Sequence, residues 1–286
     1  MLAKYKYGVS SWLFVSPFTT ELIEPLFEKV AQLGYDAIEI AVEDPNQIDA
    51  QKVAAALQKY NLTAVVCGAF GSSRDLTSSD PAIHQQCFDY IEACLKLCNQ
   101  WCTHFLTGPM YSAVGKRRML SAMDRKKEWN LAVKNVRIAC EMAAQHQCQL
   151  AIEPINRFES DLVNTCADVC QLVQEINHPA AKISLDSFHM NIEEKNPMEA
   201  IQQAGSNLIH MQISENHRGI PGTGTTPWND YVHGLNKINY NGIISLESFT
   251  PMNQQLAEAV CIWKPMADSQ DQFAQEGLDF MKKTFK

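Results

Sequence analysis

The sequence lacks the features of membrane, secreted and nucleic-acid-binding proteins. No run approaches the ~18 consecutive apolar residues of a membrane-spanning helix. The N-terminal stretch MLAKYKYGVSSW has neither the long apolar segment nor the small-residue cleavage site of a signal peptide. Lys and Arg number 24 against 32 Asp and Glu, and the net charge of −8 is the opposite of the basic stripe that nucleic acids require. We therefore expect a cytoplasmic protein without a membrane or nucleic-acid partner.

Two further motifs are missing from the 286 residues. None of the ten cysteines forms a CxxC pair, and the four-residue spacing of Cys94, Cys98 and Cys102 indicates packing along a helix rather than a metal knot. No glycine-rich phosphate turn follows the first predicted strand, which disfavours a doubly wound open sheet. The segment PGTGTTP (221–227) follows a late strand and is typical of a turn.

What the sequence does contain is a regular alternation of short β-rich runs and longer stretches of helical period. Most of the β-rich runs are apolar on both faces in their first half, as buried parallel strands are. The eight predicted strands are 6–12, 37–43, 63–69, 103–109, 150–155, 182–188, 208–214 and 242–249. Eight βα units with no linker or change of composition predict a single (β/α)₈ TIM barrel over residues 1–286.

The last four predicted strands each place a metal-ligating side chain near their C-terminal end. These side chains are Glu153, Asp186, Gln212 and Glu247. Because the strands of a barrel finish at one face, we expect the four side chains to meet there. His210 points the same way as Gln212, one layer deeper, since side chains alternate along a strand. Oxygen-rich ligation of this kind suits Mn²⁺, Mg²⁺ or Co²⁺.

Five segments together resemble the ketose 3-epimerases, the D-tagatose 3-epimerase and D-psicose 3-epimerase group of the xylose-isomerase-like barrels. They are IEPINRFE (152–159), LDSFHMNIEE (185–194), ISENHRGIPGTG (213–224), LESF (246–249) and IWKPMADSQD (262–271). The resemblance covers nearly the whole chain and rests on the order and spacing of the segments. It implies a dimer or tetramer with a small-molecule sugar as substrate.

The resemblance also assigns the site residues. It implies a divalent ion, Mn²⁺ in the first place with Co²⁺ or Mg²⁺ as alternatives, on Glu153, Asp186, Gln212 and Glu247. Gln212 stands where the family has a histidine, which leaves the preferred metal open because an amide oxygen favours harder ions. The positions that contact the ketose oxygens in the family match Glu159, His189 and Arg218. Less specific pocket positions match Cys67, Phe249 and Trp12.

The expected reaction is inversion at C3 of a free ketose. One carboxylate removes the C3 proton and a second returns a proton to the opposite face, and these roles fall to Glu153 and Glu247. Arg218 and His217 are the basic residues predicted near the mouth, which favours an unphosphorylated sugar, since phosphate is usually met by more basic groups. Gln212 keeps an alternative open, a hydroxypyruvate isomerase or an inosose dehydratase-like enzyme.

Overall fold

The structure is a computed structural model that describes residues 4–286. Its eight strands are β1 (Lys6–Ser10), β2 (Ala37–Val42), β3 (Thr63–Gly68), β4 (Phe105–Gly108), β5 (Gln149–Ile152), β6 (Ala181–Asp186), β7 (Leu208–Ile213) and β8 (Ile243–Leu246). All neighbouring strands pair in parallel, and β8 pairs with β1, so the sheet closes into a barrel. The predicted (β/α)₈ barrel is confirmed.

Helices connect the strands. They are α1 (Ile23–Leu33), α2 (Ala50–Tyr60), α3 (Pro81–Gln100), α4 (Ala122–Gln145), α5 (Cys166–Ile176), α6 (Ser187–Glu193), α7 (Pro197–Ala204), α8 (Trp228–Lys237), α9 (Gln254–Val260) and α10 (Gln270–Thr284). Local sequence sets several of their ends: Thr165 and Asp168 form a reciprocal cap at the start of α5, and Gly34 ends α1 in the left-handed conformation. Within residues 4–286, every helix is too short or too polar to cross a bilayer.

The two faces of the barrel sheet differ in chemistry. Outward side chains such as Val9, Ile40 and Met211 belong to the apolar core between the sheet and the helices. Inward positions alternate with them, and many of these are small or polar. Examples are Gly8, Ser10, Glu39, Thr107, Ser184, His210, Gln212 and Ser245. Most of the apolar surface is therefore buried between the sheet and the helices, and the interior of the barrel can accommodate a polar site.

The predicted strands were too long at their C-terminal ends. The run predicted as 182–188 ends as a strand at Asp186, because the Asp186 side chain accepts a hydrogen bond from the Phe188 amide at 3.0 Å and starts α6 at once. The predicted first strand ends at Ser10, after which residues 11–13 form a 3₁₀ turn. Two short helices, α6 and α9, were not predicted.

Candidate active site

The four predicted metal ligands lie together at the C-terminal end of the barrel. Asp186 is the last residue of β6, while Glu153 and Glu247 directly follow β5 and β8. Gln212 pairs in register with Asp186 across β6 and β7, so the two side chains lie level, as the alternation predicted. All four residues are buried.

Direct contacts join these four residues into one site. The Gln212 amide nitrogen donates to Glu247 Oε1 at 2.8 Å. Arg218 Nη1 lies 2.5 Å from Asp186 Oδ2 and 3.1 Å from Glu247 Oε2. Ligand atoms of Glu153 and Asp186 lie within 4.8 Å of each other and of a ring nitrogen of His189. Three carboxylates and an amide are therefore linked, in part through Arg218, into one cluster at this end of the barrel.

The crowding of acids perturbs their titration. Burial raises the pKa of Glu153 well above its usual value, and the nearby Glu247 and Asp186 raise it further. Burial likewise raises the pKa of Glu247 well above its usual value, and it raises the pKa of Asp186, although the Arg218 guanidinium opposes both shifts. Three buried carboxyls that resist ionisation lie in one cluster, and a divalent cation bound there would supply compensating positive charge.

The chemistry of the donor atoms fits a hard divalent ion. The Gln212 carbonyl oxygen is buried and has no hydrogen-bond partner among residues 4–286. A buried acceptor of this kind needs a donor or a cation. Together with the oxygens of the three carboxyls it makes an all-oxygen set, which suits Mn²⁺ or Mg²⁺. His189 lies beside Glu153 and Asp186, and the sequence analysis placed it against the substrate.

His189 is held neutral with a defined orientation. Its Nδ1 faces two donors of Asn156, the backbone nitrogen at 3.1 Å and the side-chain nitrogen at 2.8 Å, and so acts as the acceptor. Its Nε2 then carries the proton and lies 3.6 Å from Glu153 Oε1. Burial lowers the pKa of His189 well below its usual value, and the Arg218 charge lowers it further. Asn156 also donates to Glu159 at 2.8 Å, so one residue connects two predicted substrate contacts.

Arg218 reaches the acids from the loop that follows β7. Its backbone adopts the left-handed conformation with φ 63°, which is uncommon for a residue with a side chain and is often found at functional sites. The guanidinium lies over the Phe188 ring at 4.2 Å and near the Phe249 ring at 5.1 Å. His217, the other basic residue predicted near the mouth, is exposed.

Glu215 anchors this loop. Its carboxylate accepts hydrogen bonds from the backbone nitrogens of Asn216, Gly222 and Thr226, at 3.0, 2.7 and 2.9 Å, and from the Thr226 hydroxyl. The Trp228 indole donates at 3.2 Å. Burial raises the pKa of Glu215, but these hydrogen bonds outweigh it and lower the pKa to about 2. A saturated, ionised carboxylate thus fixes the loop that carries Arg218.

Comparison with known proteins places the chain in a family. The family model described as "Xylose isomerase-like TIM barrel" matches residues 27–284. The L-ribulose 3-epimerase of Methylomonas sp. is 32% identical over 99% of this chain and 98% of its own length. The D-psicose 3-epimerase of Ruminiclostridium cellulolyticum is 31% identical over 89% of each. The chain belongs to the xylose isomerase-like TIM barrel family, in its ketose 3-epimerase group.

A solved structure agrees with this assignment. The D-allulose 3-epimerase of Methylomonas sp., crystallised in complex with D-allulose, superimposes with a TM-score of 0.92 at 29% identity, over 98% of this chain and 97% of that one. The resemblance to the ketose 3-epimerases noted from the sequence is confirmed, as is the enzyme class, an isomerase. The roles of individual residues remain predictions.

In this member of the epimerase group, three less specific pocket predictions fall at the edge of the site. Phe249 is buried in a small apolar cluster with Leu256 and Ile262, and the Trp12 ring packs against it at 5.6 Å between centroids. Trp12 lies just past β1 in the 3₁₀ turn rather than within the strand. Cys67 Sγ lies within 4.8 Å of a Glu247 oxygen. Burial and nearby acids raise the pKa of its thiol well above the usual value.

The sequence analysis missed Glu39, a fully buried acid on the inner face of β2. Its Oε2 lies 2.7 Å from His210 Nε2 and its Oε1 lies 2.7 Å from Gln212 Nε2. Burial raises the pKa of Glu39, but the contacts with His210, Ser245 and Gln212 outweigh it and lower the pKa below the usual value. A glutamate inside the apolar run AIEIAV was the signal that could have revealed this residue.

Proposed function

We propose that this protein is a divalent-metal-dependent ketose 3-epimerase that acts on free ketohexoses or ketopentoses. D-Tagatose, D-fructose, D-psicose and L-ribulose are the candidate substrates. Glu153, Asp186, Gln212 and Glu247 would hold the ion, with Mn²⁺ the first candidate. The observation that carries the proposal is that three buried carboxyls with raised pKa values gather at the strand ends beside Gln212, whose buried carbonyl oxygen has no hydrogen-bond partner among residues 4–286.

Two of the carboxyls have the properties that a two-base inversion needs. Glu153 and Glu247 directly follow β5 and β8, two strands three positions apart around the barrel, and lie at the same end. In the proposal, one takes the C3 proton and the other returns a proton to the opposite face. Their raised pKa values bring proton uptake and release closer to neutral pH, which favours general acid–base catalysis. When bound, the cation supplies stabilisation of the negative charge that develops on the ketose oxygens.

Three neighbouring residues would orient the sugar. Neutral His189 can donate its Nε2 proton to a ketose oxygen, and Asn156 fixes the ring that does so. Glu159, tied to the same Asn156, can accept from a sugar hydroxyl. Arg218 offers several donors from a planar group held between Phe188 and Phe249.

The substrate class rests on the relatives and on the charges near the site. The relatives named above act on L-ribulose, D-psicose or D-allulose according to their names, and all are 3-epimerases. Arg218 is the cationic group that contacts the acids, and it is engaged by Asp186 and Glu247. This supports an unphosphorylated sugar. Two 3-epimerases are more than 30% identical to this chain, which favours epimerisation over the hydroxypyruvate isomerase and inosose dehydratase alternatives suggested by Gln212.

Incubation with D-tagatose, D-fructose and L-ribulose in D₂O with Mn²⁺ tests the proposal. We expect the C3 epimer of at least one sugar, with deuterium at C3, by chromatography and NMR. Hydroxypyruvate and an inosose serve as competing substrates in parallel reactions. An aldehyde product or loss of water from these, with no deuterium entering C3 of any ketose, would contradict the proposal. The Glu153→Gln protein is the matched control, since it keeps the shape of the site and loses one base.

A further inference from the structure

Glu39 contacts the proposed metal site from below without belonging to the proposed ligands. It extends from β2 into the barrel and meets His210 and Gln212 of β7, on the far side of β1 and β8. Small residues make this possible: a Cβ on Gly8 would lie 2.8 Å from Ser245 Oγ. The interior at this level is therefore shaped so that a carboxylate can reach across two strands.

The two oxygens of Glu39 have different partners. Glu39 Oε2 lies 2.7 Å from His210 Nε2, and Glu39 Oε1 accepts a hydrogen bond from the Gln212 amide nitrogen at 2.7 Å. The His210 ring packs against the Phe105 ring at 5.4 Å between centroids, which limits its movement. Glu39 is thus held by a fixed imidazole on one side and presents its other oxygen to Gln212.

An amide has two chemically different ends, and its partners decide which end faces where. The Gln212 nitrogen is occupied by Glu39 and by Glu247, while its oxygen has no partner among the residues that the structure describes. Glu247 is itself a proposed ligand, so its oxygens are needed by the cation. Glu39 is the contact that is left to hold the nitrogen.

We propose that Glu39 is a positioning residue that fixes the Gln212 amide by its nitrogen and so leaves the carbonyl oxygen as the atom offered to the cation. The inference rests on the proposed function, because it concerns the same metal site. Its consequence is specificity: with the oxygen of Gln212 presented, the ligand set consists of oxygens, which favours Mn²⁺ and Mg²⁺ over Zn²⁺.

Metal binding measured by calorimetry on the metal-free full-length protein tests this role. Partners that orient metal ligands typically contribute about 10- to 100-fold to affinity, so we expect Glu39→Gln to weaken Mn²⁺ binding by that factor. In a Gln212→Ala background the same substitution should cost no further affinity, since Glu39 then has no amide to orient. Asp75→Asn is the matched control, because Asp75 is a buried acid held by Thr77 and Lys116, and Mn²⁺ affinity should not change.

Suppose that the unaltered protein binds Mn²⁺ and epimerises a ketose. Unchanged Mn²⁺ affinity in Glu39→Gln, or an equal loss of affinity with and without Gln212, would then overturn this inference and leave the proposed function standing. Absence of both activities in the unaltered protein would overturn the proposed function and this inference with it. Circular dichroism and the melting temperature of the metal-free variants show whether each is folded.

A second variant keeps the inference testable if Glu39→Gln does not fold. Gln212→His replaces the presented oxygen by a ring nitrogen while keeping a donor for Glu39. Affinity for Zn²⁺ and Co²⁺ should then rise relative to Mg²⁺, by at least about tenfold, because imidazole suits those metals better. An unchanged ratio would mean that the Gln212 oxygen is not presented to the cation, which overturns the inference.

Discussion

Buried carboxylates lie at the mouth of the barrel in two places, at the strand ends and at Glu215 in the loop after β7. Glu215 of the loop accepts from three backbone nitrogens, a hydroxyl and an indole, and its pKa is lowered to about 2. Glu153 and Glu247 lie among other acids, and their pKa values are raised well above the usual value.

The difference is the one expected between a carboxylate that stabilises the fold and carboxyls that act in a site. The protein itself supplies the donors for Glu215, so ionisation of this group stabilises the folded loop. Glu153 and Glu247 are crowded by other acids, and for Glu247 the contacts with Gln212 and Arg218 do not outweigh burial and this crowding. Such crowding costs stability and is usual where a ligand completes the site. Perturbing each group should therefore give opposite results for stability and activity.

The largest effect is expected from removing divalent ions. After treatment with EDTA and desalting, we expect no measurable C3 epimerisation and a lower melting temperature. Adding Mn²⁺ should restore both, with about 2.7 kcal/mol of stabilisation when free Mn²⁺ is 100 times its Kd. The Glu215 loop is held by hydrogen bonds within the protein, so its contribution to the free energy of unfolding should be the same before and after the ions are removed. Full activity in the metal-free protein would contradict a metal-dependent role for the strand-end acids.

The next effect is on the two proposed bases. Glu153→Gln and Glu247→Gln should each reduce kcat by about 10³-fold, within the range that positioned acid–base groups contribute. The metal-free melting temperature should stay the same or rise, since a neutral amide relieves the repulsion among the acids. Steady-state kinetics with Mn²⁺ and thermal unfolding without it measure the two results. A variant that loses stability and keeps activity would reverse the assignment.

A smaller effect, on stability, is expected from Glu215→Gln. The amide nitrogen would face backbone donors, and leaving such groups unsatisfied costs about 1–3 kcal/mol. The wild-type advantage comes from a lowered pKa, so it is present above the ordinary value of 4.5 and is lost as the pH falls toward about 2. Urea unfolding at pH 7 and pH 3 should therefore show the difference shrinking. An equal difference at both pH values would contradict ionisation as its cause.

Most of the fold follows from local sequence. Short β-rich runs, apolar at the positions that face the helices, indicate buried parallel strands, and the stretches of helical period between them are long enough to be recognised. Strand ends were less predictable. Phe188 extends the β-rich run past β6, but the Asp186 side chain caps the next helix and ends the strand there.

The site was predictable where its residues follow strand ends and hidden where they depend on tertiary contacts. Glu153, Asp186, Gln212 and Glu247 could be grouped because parallel strands of a barrel finish at one face. Glu39 lies mid-strand, and its contact with Gln212 depends on the width of the barrel interior. The importance of Asn156 depends on the loop fold that brings it to His189.

The smallest effect is a dependence of metal binding on pH. Folding raises the pKa of Glu153 and of Glu247. The contribution of such a carboxyl to the stability of the metal-free protein is fully present when the pH is below its ordinary pKa, and it is lost as the pH rises through the raised pKa. The cation must displace these protons, so apparent Mn²⁺ affinity should rise with pH, by up to about tenfold per pH unit for each proton released. Calorimetry at pH 5.5, 6.5 and 7.5 in buffers of different ionisation enthalpy measures both the affinity and the proton count. In Glu153→Gln the number of protons released on Mn²⁺ binding should fall. In Glu215→Gln that number should not change, because Glu215 is already ionised throughout this pH range. An affinity that does not depend on pH would show that the strand-end acids are ionised before the ion binds.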